Sequence, residues 1–371
     1  MEPIGVYIHV PFCRQKCPYC DFYSMTDMHL TESYTECIVR KIYTKGKELG
    51  VVADTLYFGG GTPSALGARR LGRMIDTAKQ VFGMRGAEIT VEVNPALEME
   101  CFFETLAEKG VNRVSIGVQS AHESELQLLG RIHTARQIQA AVTAAQKAGI
   151  TNISMDLMVG IARQTKESLR NSIAFCRDMG AGHLSAYLLK IEPDTPYARQ
   201  RDTLILPNDD QMSELYLFMV QELEKQGYFQ YEISNFAQKD KHGILQISRH
   251  NLKYWQSKPY LGIGPAAHSF INGERFYYSR SLEDFLTGKP PIADGVGGSK
   301  EEFAMLALRL TDGLTDAQWE ERFGELLPQV YKVRAKQYET AGLVRMTEGG
   351  FALTAQGFLV SNALIGAILY G

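Results

Sequence analysis

Three cysteines crowd into eight residues, Cys13-Arg14-Gln15-Lys16-Cys17-Pro18-Tyr19-Cys20. As thiolates on one loop they can wrap a single soft metal centre. A structural zinc site asks for four ligands, usually in two separated pairs, and no second pair follows in the 371 residues. Three thiolates leave one corner of a [4Fe–4S] cluster open, and an open iron can bind a small molecule through an amine and a carboxylate. The spacing therefore favours iron–sulfur chemistry over zinc. Cys37, Cys101 and Cys176 fall in helical patterns, where cysteine is ordinarily a small buried hydrophobe.

Polar residues recur at the ends of apolar runs further on. Gly59-Gly60-Gly61-Thr62-Pro63 lets a ligand approach the backbone and offers N–H groups to an anion. It lacks the lysine of a P-loop, and a tight turn is the plainer reading. Glu92 stands at the end of the next run, Val91-Glu92-Val93-Asn94-Pro95, Gln119 ends the one after, and Asp156 interrupts Met155-Asp156-Leu157. Each alone suits a satisfied core group; together they suggest a site at successive strand ends. In His250-Asn251-Leu252-Lys253-Tyr254-Trp255, an imidazole can meet iron and flat rings can cover a macrocycle. The alternative is a histidine satisfied by loop backbone, with Tyr254 and Trp255 packed as core.

The elements that must hold these residues follow from periodicity. Near-continuous Val/Ile/Leu/Tyr runs over 4–10, 54–60, 88–94, 113–120, 152–160 and 183–191 read as parallel strands buried on both faces. Helical patterns follow over 33–49, 68–82, 98–109, 135–148 and 166–179. Six strand–helix units predict an α/β open partial (β/α)6 TIM-like barrel with its chemistry at the carboxyl ends of the strands. A long helix over 209–226, an aromatic and polar stretch over 228–247 and a Gly/Pro-rich stretch over 258–270 come next. Residues 287–298 read as a linker, with two prolines and four glycines. Helices over 300–310 and 316–325, a hairpin over 343–346 and 351–354 and a final apolar helix predict a C-terminal α+β winged-helix-like domain. The expected division is 1–200, barrel; 201–290, motif-bearing and barrel-closing region; 291–371, C-terminal domain.

Composition narrows the class. The 45% apolar and 22% charged residues are globular, and the length allows one large domain or two. A net charge of −3 writes in no nucleic-acid surface, and residues 300–371 carry seven Lys/Arg against nine Asp/Glu, so DNA is not an expected partner. No apolar run approaches the roughly 20 residues of a membrane span. Met1-Glu2-Pro3 leads into no cleavage site. A cytoplasmic chain with reduced cysteines is expected.

The cysteine spacing, with Tyr19 before Cys20, resembles the radical S-adenosylmethionine (SAM) superfamily. The resemblance implies that Cys13, Cys17 and Cys20 ligate the cluster and that SAM takes the fourth iron, to be cleaved to a 5′-deoxyadenosyl radical. Residues 7–13, 59–63, 92–95, 115–120, 129–131, 155–157 and 260–270 narrow it to the coproporphyrinogen dehydrogenase group, over nearly the whole chain. That likeness implies cofactor contacts: Tyr7, Gly60 and Glu92 to the cluster-bound SAM, and Gly61, Thr62, Gln119, Arg131 and Asp156 to a second SAM. Leu188 and His268 align with further SAM contacts.

Within the group, the dehydrogenase carries another cysteine two positions after the third ligand, where this chain has Phe22, and a longer segment before the first. The His250–Trp255 motif, with 231–237 and 262–270, resembles the HemW family of heme chaperones instead. This implies heme contacts at His250, Asn251, Tyr254 and Trp255, with Lys239, Lys241, His242 and Arg249 as candidate propionate partners. Two departures stand out: a longer loop at 238–247, and Ala162-Arg163 where a proline and a glycine are usual. The expected function is heme binding on a [4Fe–4S]/SAM scaffold and transfer of heme to an acceptor protein, a membrane respiratory enzyme by resemblance. The alternative is oxygen-independent coproporphyrinogen III oxidation.

Overall fold

The computed structural model describes residues 2–371. Six parallel strands follow one another, β1 (Ile4–Val10), β2 (Ala53–Gly60), β3 (Glu88–Val93), β4 (Arg113–Gln119), β5 (Asn152–Val159) and β6 (His183–Leu188). They pair in that order, and helices Thr31–Leu49, Ala68–Phe82, Glu100–Glu108, Ala135–Lys147 and Lys166–Asp178 cover their outer face. The partial barrel matches the expectation, with boundaries within a few residues.

The strands do not read as buried apolar on both faces. Register rows separate two sets. Ile8, Phe58, Val91, Val114 and Ile153 form one row within the core under the helices. Tyr7, Tyr57, Thr90, Arg113 and Asn152 form the neighbouring row, and Ser115, Ser154 and His183 another. Strand residues alternate faces, so the lumen is lined by polar and aromatic side chains. Tyrosine and glycine in the lumen-facing set, Tyr7, Tyr57, Gly5 and Gly59, hide this period of two in the sequence. Ser154 Oγ meets His183 Nδ1 at 2.8 Å, whereas Thr90 Oγ1, Arg113 Nε and Asn152 Oδ1 have no hydrogen-bond partner, which is costly for buried polar groups.

The sheet extends beyond six strands at both ends. Beside β6 run the short antiparallel β7 (Phe229–Gln230) and β8 (Asn235–Ala237). Beside β1 runs β9 (Tyr260–Ile263) in parallel, then antiparallel β10 (His268–Ile271), β11 (Glu274–Tyr277) and β12 (Ile292–Val296). The stretch read as a linker therefore contains β12. Every residue of that strand is exposed, so no apolar alternation marks it. The C-terminal part sets helices around a three-stranded antiparallel sheet of β13 (Leu314–Thr315), β14 (Val344–Thr347) and β15 (Gly350–Leu353), as the winged-helix-like reading anticipates. Among the described residues no helix is long and apolar enough to cross a membrane.

Candidate functional site

The cysteine loop leaves the end of β1 and folds back over the mouth of the barrel. Cys13 is buried, and Cys17 and Cys20 are half-buried. The loop is pinned to β2: Gly61 N–H donates to Val10 O at 2.8 Å and Thr62 N–H to Phe12 O at 2.8 Å. These two N–H groups are thus spent on the loop, which corrects their reading as free anion donors. A Cβ on Gly61 would lie 2.8 Å from Val10 O and 3.1 Å from Cys13 Sγ. A Cβ on Gly60, at φ +107°, would strike the His9 ring at 2.5 Å. The glycines are there so that β2 can abut the first cysteine.

One hydrogen-bonded chain joins the strand ends to two points on the loop. Thr62 Oγ1 donates to Cys13 Sγ at 3.4 Å, and Asn94 Nδ2 donates to Thr62 Oγ1 at 3.0 Å. Asn94 Oδ1 accepts from Arg131 Nη1 at 3.1 Å, and Arg131 Nε and Nη2 donate to Tyr19 Oη at 3.1 and 2.9 Å. The chain runs from Cys13 to the neighbour of Cys20. Asn94 is its hub, and the sequence reading passed over it although it stands in Glu92-Val93-Asn94-Pro95.

Gln119 ends β4 at φ +65°, where the β4–β5 register shifts between Gly117 and Gln119. A left-handed non-glycine at a bulge re-aims a side chain at a cost of about 1–3 kcal/mol. Two carboxylates share the lumen. Tyr57 Oη donates to Glu92 Oε1 at 2.8 Å, and Ser115 Oγ donates to Asp156 Oδ1 at 3.0 Å. Burial, then the charge of Asp156, pushes Glu92 up to about 7. Burial also raises Asp156. His9 Nε2–H donates to Tyr23 O at 2.9 Å, so its Nδ1 accepts from Tyr7 Oη at 3.1 Å; burial lowers this histidine to about 4. Leu188 and His268 lie exposed, His268 stacked on Tyr277 at 5.0 Å.

The residues fit a cluster. All three thiols are free on one loop, and soft donors select iron–sulfur or zinc centres. Among the described residues no three His, Cys, Asp or Glu side chains gather to hold one metal ion. Thiols spread around a loop suit separate corners of a cluster. Cys37 and Cys176 are buried as expected, whereas Cys101 is exposed on its helix.

The His250 motif stands at the opposite end, on a helix (Arg249–Trp255) and not in a loop. Ser248 Oγ caps it, and the Glu88 carboxylate accepts the Arg249 and His250 N–H groups at 3.2 and 3.1 Å. A partner 162 residues away in sequence gives no local signal. His250 is 1% exposed. Its nitrogens meet Thr55 Oγ1 at 2.7 Å and Tyr254 Oη at 2.8 Å. Burial lowers it to about 3. Asn251 and Trp255 are half-buried. Lys239, Lys241 and His242 are exposed, Lys239 over the Phe229 ring; Arg249 pairs with Asp54 at 3.6 Å. Residues 238–247 form a tight turn, with the Asp240 carboxylate accepting the His242 and Ile244 N–H groups. Arg163 has φ +63°, a conformation that favours glycine.

The family model of the radical SAM superfamily matches residues 7–176, and that of the HemN C-terminal domain matches 300–360. The chain is 34% identical to heme chaperone HemW of Bacillus subtilis, over 98% of this chain and 99% of that one. It is 35% identical to heme chaperone HemW of Synechocystis, over 86% and 81%. The solved structure of coproporphyrinogen III oxidase (HemN) from Escherichia coli, a radical SAM enzyme, matches with a TM-score of 0.81 at 22% identity, covering 99% of this chain and 90% of that one. At that identity the match carries the fold alone.

Proposed function

The chain belongs to the HemW family, within the radical SAM superfamily, and from that premise we propose that it is a heme chaperone. It takes up heme on a scaffold bearing a [4Fe–4S] cluster and SAM and passes the heme to an acceptor protein, of the class of membrane respiratory enzymes. Its place is the cytoplasm, with peripheral contact at the membrane during transfer. The observation that carries the reading is the end-to-end likeness to heme chaperones at 34% identity.

Cys13, Cys17 and Cys20 are the cluster ligands in this proposal. When bound, a reduced cluster with SAM on its open iron supplies one-electron chemistry. This chain's residues do the holding. Gly60 and Gly61 give close backbone approach. Glu92 offers a carboxylate to the ammonium of the cluster-bound SAM, with Tyr7 alongside. Thr62, Asn94, Arg131 and Tyr19 fix the cysteine loop against the strand ends. Gln119, Asp156 and Arg131 are offered as partners of a second SAM, with Leu188 and His268 at the rim. Iron ligation by His250 requires that one of its two bonds, to Thr55 or to Tyr254, break.

The test is a hemin titration, followed by absorbance, of protein whose cluster has been reconstituted without oxygen. Coproporphyrinogen III turnover is assayed on the same sample. Stoichiometric heme binding without turnover is expected. Turnover without heme binding would replace the chaperone by the dehydrogenase.

A further inference from the structure

The motif histidine faces the underside of the Glu92 pocket. Its ring stacks on Tyr57 with centroids 5.1 Å apart and planes 23° from parallel. Tyr57 Oη in turn holds Glu92 Oε1 at 2.8 Å. Thr55, which meets one His250 nitrogen, lies two residues before Tyr57 on β2, the strand that ends in the glycine run. Tyr254, which meets the other nitrogen, packs edge-on to Tyr260 of β9 at 4.6 Å. The imidazole therefore ties the motif helix to β2 directly beneath the ring that orients the carboxylate.

Two glycines clear the space for this stack. A Cβ on Gly5 would lie 3.1 Å from Thr55 Oγ1 and 3.2 Å from His250 Cε1. A Cβ on Gly59 would lie 2.9 Å from both Glu92 Oε1 and Tyr57 Cε1. Neither glycine has a left-handed backbone, so clearance for these side chains is the reason for the residue type. The packing is continuous from the helix to the carboxylate, and a ring held on one face by an anchored imidazole loses the freedom to swing.

We propose that His250 is a positioning residue for the SAM pocket, fixing the Tyr57 ring and through it the Glu92 carboxylate. This rests on the reading that Glu92 meets the cluster-bound SAM. It gives the His-Asn-x-x-Tyr-Trp motif a task at the cofactor end that is separate from iron ligation.

The experiment titrates SAM into the reduced, reconstituted full chain and follows the change in the cluster's EPR signal. Hemin is titrated in parallel. Thr55→Val keeps shape and removes one bond to the imidazole; His250→Leu removes the ring; Glu92→Gln is the control. Thr55→Val is expected to weaken SAM several-fold and His250→Leu about tenfold, the size of a lost hydrogen bond, with heme stoichiometry and the Soret position unchanged. Should Glu92→Gln weaken SAM while Thr55→Val and His250→Leu do not, the positioning role is overturned. Loss of heme with SAM unaffected overturns it in favour of iron ligation. If Glu92→Gln itself leaves SAM binding intact, the underlying pocket is wrong and the inference falls with it. Where His250→Leu does not fold, Thr55→Val decides alone.

Discussion

At the mouth of the barrel, Cys17, Cys20, Tyr19 and Arg131 are half-buried, and one chain of side-chain hydrogen bonds centred on Asn94 joins Tyr19 and Arg131 to Thr62 and Cys13. At the floor, the motif helix closes the lumen with a buried imidazole bonded at both nitrogens and a buried lysine, Lys253, held by Asp54 at 2.8 Å and Pro3 O at 3.0 Å. The mouth has side chains to spare for a ligand, while the floor has spent its own on the protein. The proposed function accordingly draws on the carboxyl ends of the strands, with the floor as support.

The contrast can be broken most violently at the thiols. Cys13→Ser, Cys17→Ser and Cys20→Ser are each expected to abolish the reconstituted cluster, read as loss of iron and of the charge-transfer absorption, while exposed Cys101→Ser retains both. Next comes Asn94→Ala, which removes the bonds to Thr62 and Arg131. It is expected to weaken SAM binding about tenfold with little change in melting temperature, because the residue serves the loop and not the core.

The two ends also titrate in opposite senses. Glu92 ionises at about 7 against 4.5 when unfolded. Folded protein therefore holds its proton more tightly, and the stability this contributes is present in full below pH 4.5 and lost as pH rises through 7. Glu92→Gln should raise the melting temperature of ligand-free protein at pH 8, by up to about 3 kcal/mol in stability, with no gain at pH 5. His250, lowered from 6.5 to about 3, acts the other way. Its contribution is present above pH 6.5 and lost as pH falls through 3, so His250→Gln should flatten the acid limb of the melting profile. The smallest effect is expected in the turn that follows β5. Arg163→Gly relieves a left-handed backbone at φ +63° and should stabilise by about 0.5–1 kcal/mol, measured by urea unfolding.

The mouth was far more legible in sequence than the floor. Cysteine spacing, glycines and polar strand ends are local signals, and they name most of the residues the structure brings together there. Asn94 was on view but carried no weight until Arg131 and Thr62 came to meet it from other loops of the chain. The polar lumen was encoded as alternation and masked by tyrosine and glycine. The motif helix has seven residues, too few for a period, and its N-terminus is satisfied by Glu88 from another strand. The strand at Ile292–Val296 has no buried face to announce it.

Hydrogen exchange on the reconstituted protein, before and after hemin, tests the contrast most directly. If the mouth receives ligands and the floor supports it, backbone amides at 12–25 gain protection on cluster assembly and SAM addition, and those at 249–255 stay protected throughout. Release of protection at 249–255 when hemin is added would contradict the account and put the heme at His250.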